Sequence, residues 1–230
     1  MIVSIHQPNY LPYLGFFDKM VKSDIMILYD DAEFVREMFY NRNKIKTSNG
    51  TLWMTVPVKY KMHEHPKINE ILIDNHQRWQ YKQWMSIHQF YHKAPYFNEV
   101  YKLIQDIFLD NNKFNILSDV SILLIARIVD ILGIKTKLYR SSTIPIAGDR
   151  SEKLLKICLA YNADTYLSGA TGNKYLDESM FNKCNIKVEY QHYIHPVYNQ
   201  LYGDFIPNMC ILDLLFNHGI KESLSILTNK

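Results

Sequence analysis

Residues 2–31 run through an apolar stretch, a proline-bracketed loop, a helical stripe and a second apolar stretch, and that succession admits few folds. Ile2-Val3-Ser4-Ile5-His6 reads as a short buried strand. In Gln7-Pro8-Asn9-Tyr10-Leu11-Pro12 the two prolines fix φ and disfavour helix just before them, which makes a stiff loop. Leu14, Phe17, Met20 and Val21 recur at helical spacing, and Ile25 to Tyr29 reads as a strand ending in Asp30-Asp31. Strand, helix and strand in so short a span make one βαβ unit, and strands joined through a helix run parallel.

The same alternation returns late in the chain. Lys137 to Arg140 reads as a strand, 151–161 as a helix with Asp149 at its N-cap, and Thr165 to Ser168 as a strand closed by the turn Gly169-Ala170-Thr171-Gly172. A short helix over Tyr175 to Phe181 and a strand over Lys187 to Tyr190 follow. Between the two blocks, residues 32–50 read as a polar, aromatic loop centred on Asn41-Arg42-Asn43. Leu52 to Val58 reads as a strand closed by Pro57, with Ile68 to Ile73 pairing near it. Three helices come next: Trp79 to His92, a stripe of Val100, Leu103, Ile104, Ile107 and Phe108, and Ile116 to Leu132, stopped by Gly133. The last helix, Met209 to Asn217, is stopped at Gly219. The expectation is an α/β fold, an open and mostly parallel sheet with flanking helices and a helical insertion around 79–132, in one domain spanning 1–230.

Composition narrows the function classes. Hydrophobic residues make up 47 % and charged residues 21 %, as in ordinary globular chains and unlike disordered ones. The formal charge is only +3, and Lys and Arg are scattered without a basic run, which argues against a dedicated nucleic-acid protein. Cys158, Cys184 and Cys210 are odd in number and far apart, so neither a disulfide framework nor a metal set is expected. No stretch reaches the length of a membrane span, the nearest being Val120 to Leu132 with Ser121, Arg127 and Asp130 inside it. Met1 leads straight into an apolar strand with no basic leader, so the expected location is the cytoplasm.

In doubly wound sheets, ligands bind beyond the carboxyl ends of the strands. That places His6, Gln7, Asn9 and Tyr10 after the first strand, Asp30, Asp31 and Glu33 after the second, and Ser168, Gly169, Thr171 and Gly172 after a later one. His6 reads as a general base, a phosphate contact, or a buried histidine satisfied by a carbonyl. Asp30 and Asp31 read as holders of a cation or an amine, or as helix caps and surface turns. Asn41, Arg42 and Asn43 read as a phosphate grip or a solvated loop. The Ser168–Gly172 turn can cradle an anion through its amides, although it is not a Walker motif. His192, His195 and Tyr198 form an aromatic-polar stretch without a third metal ligand, and no metal is expected. Gly-x-Ser-x-Gly is absent, so a serine hydrolase is not indicated. His63 and His65 read as a polar loop.

Several of these stretches together resemble the WbqC-like family. The closest is Ile5-His6-Gln7-Pro8-Asn9-Tyr10-Leu11-Pro12-Tyr13-Leu14-Gly15-Phe16-Phe17-Asp18-Lys19. Asn41-Arg42-Asn43, Thr55-Val56-Pro57-Val58, Lys93-Ala94-Pro95-Tyr96-Phe97 and Tyr166-Leu167-Ser168-Gly169 with Gly172 and Tyr175 are similar too. So are His195-Pro196-x-Tyr198-x-Gln200 and Ile211-Leu212-Asp213-Leu214-Leu215-Phe216-Asn217-x-Gly219. One position departs: where a histidine often follows the lysine equivalent to Lys82, this chain has Gln83. The resemblance implies a place in bacterial O-antigen and surface-polysaccharide biosynthesis, with transfer of glycine or a similar acyl group to an amino sugar. A fainter likeness to HIGH-type nucleotidyltransferases and pantothenate synthetase-like ligases, without their His-x-Gly-His pattern, implies ATP as a possible co-substrate.

Together these expectations describe an acyl or aminoacyl transferase that makes an amide on a nucleotide-linked amino sugar, with ATP, coenzyme A or charged tRNA as the source of activation. His6 is the expected general base or phosphate contact and Asp30 the amine holder. Gln7, Asn9 and Tyr10 orient acyl group or sugar, and Asn41, Arg42 and Asn43 hold phosphate. Ser168, Gly169 and Gly172 give backbone donors beside Tyr175, while His195 and Tyr198 close the pocket. A non-catalytic nucleotide-sugar-binding protein is the alternative. An RNA-contacting protein is a third, drawn from the abundance of aromatics, most of whose spacing places them in the core.

Overall fold

The computed structural model of the chain describes residues 1–61, 65–109, 114–148 and 150–228. Its elements are β1 (Ile2–His6), α1 (Leu14–Val21), β2 (Ile25–Leu28), β3 (Arg42–Thr47), β4 (Gly50–Thr55), β5 (Val58–Lys59), β6 (Leu72–Ile73), α2 (Trp79–Tyr91), α3 (Phe97–Leu109), α4 (Leu117–Leu132), β7 (Lys137–Arg140), α5 (Arg150–Ala160), β8 (Thr165–Ser168), α6 (Glu178–Lys183), β9 (Lys187–Tyr190) and α7 (Ile211–Thr228). The chain divides into two compact units. Unit 1 takes Met1–Gln7, Gly15–Asp31 and Lys135–Ile194; unit 2 takes Pro8–Leu14, Ala32–Ile134 and His195–Lys230.

Unit 1 is the α/β unit. Its five strands lie in the order β7-β2-β1-β8-β9, with every neighbouring pair parallel. The chain builds outward from β1 to one side and then returns to build on the other, so the order reverses between β1 and β8. Right-handed crossovers in the two directions send α1 and α5 to opposite faces. On one face Val3, Ile5, Ile25, Ile27 and Tyr166 pack with Leu154, Leu155, Ile157 and Cys158 of α5 and Phe181 of α6. Period-two alternation turns Ser4 and His6 to the other face.

Unit 2 is mostly helical and carries two short antiparallel ladders, β3 with β4 and β5 with β6. Trp84 of α2 stacks on Tyr101 (centroids 3.6 Å apart) and Phe108 (5.6 Å), both from α3. Phe216 of α7 packs against Tyr91 and Phe97.

Unit 1 follows the expectation but for the bounds of one helix, and the larger differences fall in unit 2. Residues 32–50 are not all loop: Arg42–Thr47 is a strand, because Asn43, Ile45 and Thr47 alternate inward and find partners across the ladder with β4. Leu52–Val58 is not one strand: Val56 and Pro57 separate β4 from β5, which pairs elsewhere. α7 does not stop at Gly219: that residue, at φ 70° and ψ −176°, kinks the helix, which resumes to Thr228. In unit 1 the expected helix from Tyr175 starts later, at Glu178, where the Asp177 carboxylate accepts from the Ser179 amide. Asp149 and His63 lie outside the described residues.

Candidate functional site

His6 is the last residue of β1, the central strand of unit 1, beside the point where strand order reverses. Its Nδ1 is 2.9 Å from the Gln7 carbonyl oxygen. A carbonyl only accepts, so Nδ1 carries the ring proton and Nε2 the free lone pair. The imidazole meets Phe16 edge-on at 4.9 Å. Burial, reinforced by the Lys19 ammonium, lowers its pKa to about 4. The ring is therefore neutral across the physiological range, in one tautomer.

Lys19 is the residue that sequence reasoning missed. It sits in the signature stretch, yet it lies on the buried side of α1, only 1 % exposed. Its Nζ donates to the Ile5 carbonyl oxygen at 2.8 Å, one residue before His6. The neighbouring Asp18 does not neutralise it: that carboxylate pairs with Lys22 at 2.7 Å and accepts from Gln191 at 2.7 Å. Burial pulls the Lys19 pKa down to about 7, against a small opposing pull from the Cys158 thiol. A fully buried lysine with no carboxylate partner is rare in a structural role and frequent at reactive centres. The available signal was the position itself, a lysine at i+3 from the apolar Phe16 on the inward stripe of α1.

At the end of β2, Asp30 is fully buried. It accepts from Arg140 Nε (2.7 Å), the Ser142 amide (3.0 Å) and the Ser142 hydroxyl (2.8 Å). Burial pushes its pKa up, but these donors and the guanidinium charge outweigh it, and the net shift is downward. With three donors from Arg140 and Ser142 on its two oxygens, Asp30 is engaged within the fold. Asp30 ties the ends of β2 and β7 together. Asp31 is likewise engaged, by Lys153 and by the Ser141 hydroxyl.

Across the reversal point, β8 ends at Ser168, which is fully buried. A Cβ on Gly172 would lie 2.1 Å from Ser168 Oγ, so this close approach needs glycine at 172. The Gly172 amide turns inward to the Gly169 carbonyl at 2.9 Å. Gly169 has open space where a side chain would stand, and Tyr175 is 59 % exposed. His6, Gln7, Asp30, Ser168, Gly169, Gly172 and Tyr175 all belong to unit 1.

The other expected residues belong to unit 2, and most are tied into its framework. Tyr10 is completely buried; its hydroxyl donates to Gln83 Oε1 at 2.6 Å, and Gln83 Nε2 donates to the Thr55 carbonyl at 2.9 Å. Gln83, the departure from the family pattern, is thereby a bridge between the proline loop and β4. Asn9 is also buried. Asn41 Nδ2 donates to the Val56 carbonyl at 2.9 Å and Asn43 Nδ2 to the Leu11 carbonyl at 2.6 Å. Arg42 donates to the Glu37 carbonyl and lies over the Trp53 ring. His195 has Nδ1 2.8 Å from the Pro196 carbonyl, and its Nε2 accepts from the Asn208 amide at 3.1 Å. Tyr198 donates to Asp213 at 2.9 Å, where Tyr91 (2.7 Å) and Gln200 (2.7 Å) also donate. Burial raises the Asp213 pKa against the pull of those donors. The stretches His195–Gln200 and Ile211–Gly219 are thus two sides of one buried carboxylate network.

Comparison with known proteins places the sequence in a family. An uncharacterised protein of Mycobacterium tuberculosis is 38 % identical over 220 residues, covering 95 % of this chain and 94 % of that protein. No helix among the described residues is long and apolar enough to cross a membrane. The model of the WbqC-like protein family matches residues 7–224, and the chain belongs to that family.

Proposed function

We propose that the chain is an amide-forming transferase, moving an acyl or aminoacyl group, glycyl among the candidates, onto the amino group of a nucleotide-linked amino sugar for bacterial surface-polysaccharide (O-antigen) synthesis. The observation that carries the proposal is His6, a neutral imidazole of fixed tautomer at the carboxyl end of the central parallel strand, backed by the buried Lys19 ammonium. An attacking amine must lose a proton, and the Nε2 lone pair is available to take it at any physiological pH. A buried cation favours the negative charge that develops on the acyl oxygen. Substrate contacts in this proposal fall to Gln7, Ser168, Gly169 and Tyr175 of the same unit. The polysaccharide context comes from the family's association with surface-polysaccharide gene clusters.

The test is mass spectrometry of a nucleotide-linked glucosamine incubated with the protein and, in separate arms, glycine with ATP, acetyl-coenzyme A, or glycyl-tRNA. The expected result is an acylated sugar nucleotide in one arm, with the rate lowered about 10²- to 10⁴-fold in His6→Ala. Equal rates in the variant would overturn the role of His6. A second reading is favoured by Asp30, whose carboxylate is engaged by Arg140 and Ser142: a non-catalytic nucleotide-sugar-binding protein. A sugar nucleotide that raises the melting temperature while no arm yields product would select it.

A further inference from the structure

In the β3–β4 hairpin of unit 2, alternation turns Asn43, Ile45 and Met54 inward and leaves Arg42, Lys44, Trp53 and Thr55 on the open face. Trp53 is 41 % exposed, with the Arg42 guanidinium 4.5 Å and the Lys44 ammonium 4.7 Å from its ring centre. Phe39, 45 % exposed, lies beside it at 6.2 Å. A cleft of about 280 Å³ runs between the hairpin and α2, walled by Leu52, Trp53, Pro57 and Trp79 and carrying Lys82 at its α2 side. Just before α2, Arg78 covers the exposed ring of Tyr81 at 5.3 Å. None of these four cations meets a carboxylate among the described residues.

From this geometry we infer that the open hairpin face and the adjoining α2 surface bind single-stranded nucleic acid. Rings left in water stack with bases of any sequence, and cations interleaved with them neutralise the phosphates between those bases. More than one exposed ring fits successive bases better than a lone nucleotide. A neutral glycan would use the rings and leave four cations uncompensated. The residues come from β3, β4 and α2, so the patch forms only in the folded chain. In the sequence its cations read as scatter, which is why the small net charge concealed it. This inference is independent of the amide-forming reading.

The experiment is fluorescence anisotropy of labelled single-stranded RNA and DNA, about a dozen nucleotides long, titrated with the full chain. With about four phosphate contacts, affinity is expected to fall roughly 50-fold between 50 and 200 mM salt. Lys44→Gln and Lys82→Gln should each flatten the log–log salt slope by about 0.7. Trp53→Ala should weaken binding at least about fivefold, since its side chain faces solvent and stacks on bases. Circular dichroism confirms that each variant is folded. No binding at 50 mM salt overturns the inference. So does binding that Trp53→Ala leaves unchanged and heparin displaces equally well, which would mark a general polyanion surface. Binding to anionic vesicles but to neither oligonucleotide would also overturn it, in favour of a membrane.

Discussion

Replacing Lys19 with methionine tests the electrostatic reading of unit 1 without needing a substrate. Lys19 is 1 % exposed, meets no carboxylate among the described residues, and titrates at about 7 in place of 10.5. A lowered lysine pKa means that the unfolded chain holds the proton more tightly than the folded one. Stability associated with the group is complete above pH 10.5 and is lost as pH falls through about 7. At pH 7 the wild type therefore carries a penalty of about 4 kcal/mol, the free-energy equivalent of that shift. Methionine removes the penalty but also the hydrogen bond to the Ile5 carbonyl, which offsets it by about 1–3 kcal/mol. Near neutral pH the variant should be more stable by about 1–3 kcal/mol. The sharper expectation is the pH dependence, because it is free of the hydrogen-bond term. The gap between the proteins should shrink by about 2 kcal/mol from pH 7 to pH 9, as the folded wild type stops being penalised. Urea unfolding followed by far-ultraviolet circular dichroism at pH 7, 8 and 9 measures it. Parallel stability curves for the two proteins, whatever their offset, would refute the claim that Lys19 is held near neutrality.

Three further perturbations read other parts of the structure. His6 has its pKa lowered from 6.5 to about 4, so its contribution is present above 6.5 and lost as pH falls through 4. His6→Gln should then lose less stability than the wild type between pH 6.5 and 4.5 in urea titrations, by about 2 kcal/mol. Asp213→Asn places an amide donor among three donors and should cost about 2–4 kcal/mol by the same assay; a loss below about 0.5 kcal/mol would show that the network contributes little. Gly172→Ala forces a Cβ against Ser168 Oγ at 2.1 Å and should cost about 1–3 kcal/mol. Ser168→Ala in the same chain should recover part of it, and additive losses would contradict the close approach.

Much of unit 1 was legible because its elements obey local rules: short apolar strands, prolines and glycines at the breaks, and one helical stripe between β1 and β2. The parallel sheet follows from the βαβ spacing, and His6 at its carboxyl end follows from the sheet. The chemistry around Asp30 was not legible, because Arg140 and Ser142, the groups that fill its oxygens, arrive more than a hundred residues later. Asn41, Asn43 and Tyr10 have the same history. Side chains that look poised for a ligand in sequence spend their hydrogen bonds on Val56, Leu11 and Gln83, none adjacent in the chain. Lys19 escaped notice for the opposite reason. A lysine on a helix is read as solvent-facing by default, and only the packed structure shows an ammonium sealed under a strand.

Unit 1 is assembled from three separate stretches of chain, and this governs how it is made. During synthesis, β1, α1 and β2 leave the ribosome early, but β7 cannot join them until residues 29–136 have followed. At about 5–20 residues per second that delay is roughly 5–20 s. Through it, the strands Ile-Val-Ser-Ile-His and Ile-Met-Ile-Leu have no β7 or β8 along their edges, in segments that are rich in β-branched residues and free of proline. The nascent chain is thus most exposed to self-association before its middle third has emerged. Yield of soluble protein should depend on translation rate and on holdase chaperones far more than the finished fold would suggest.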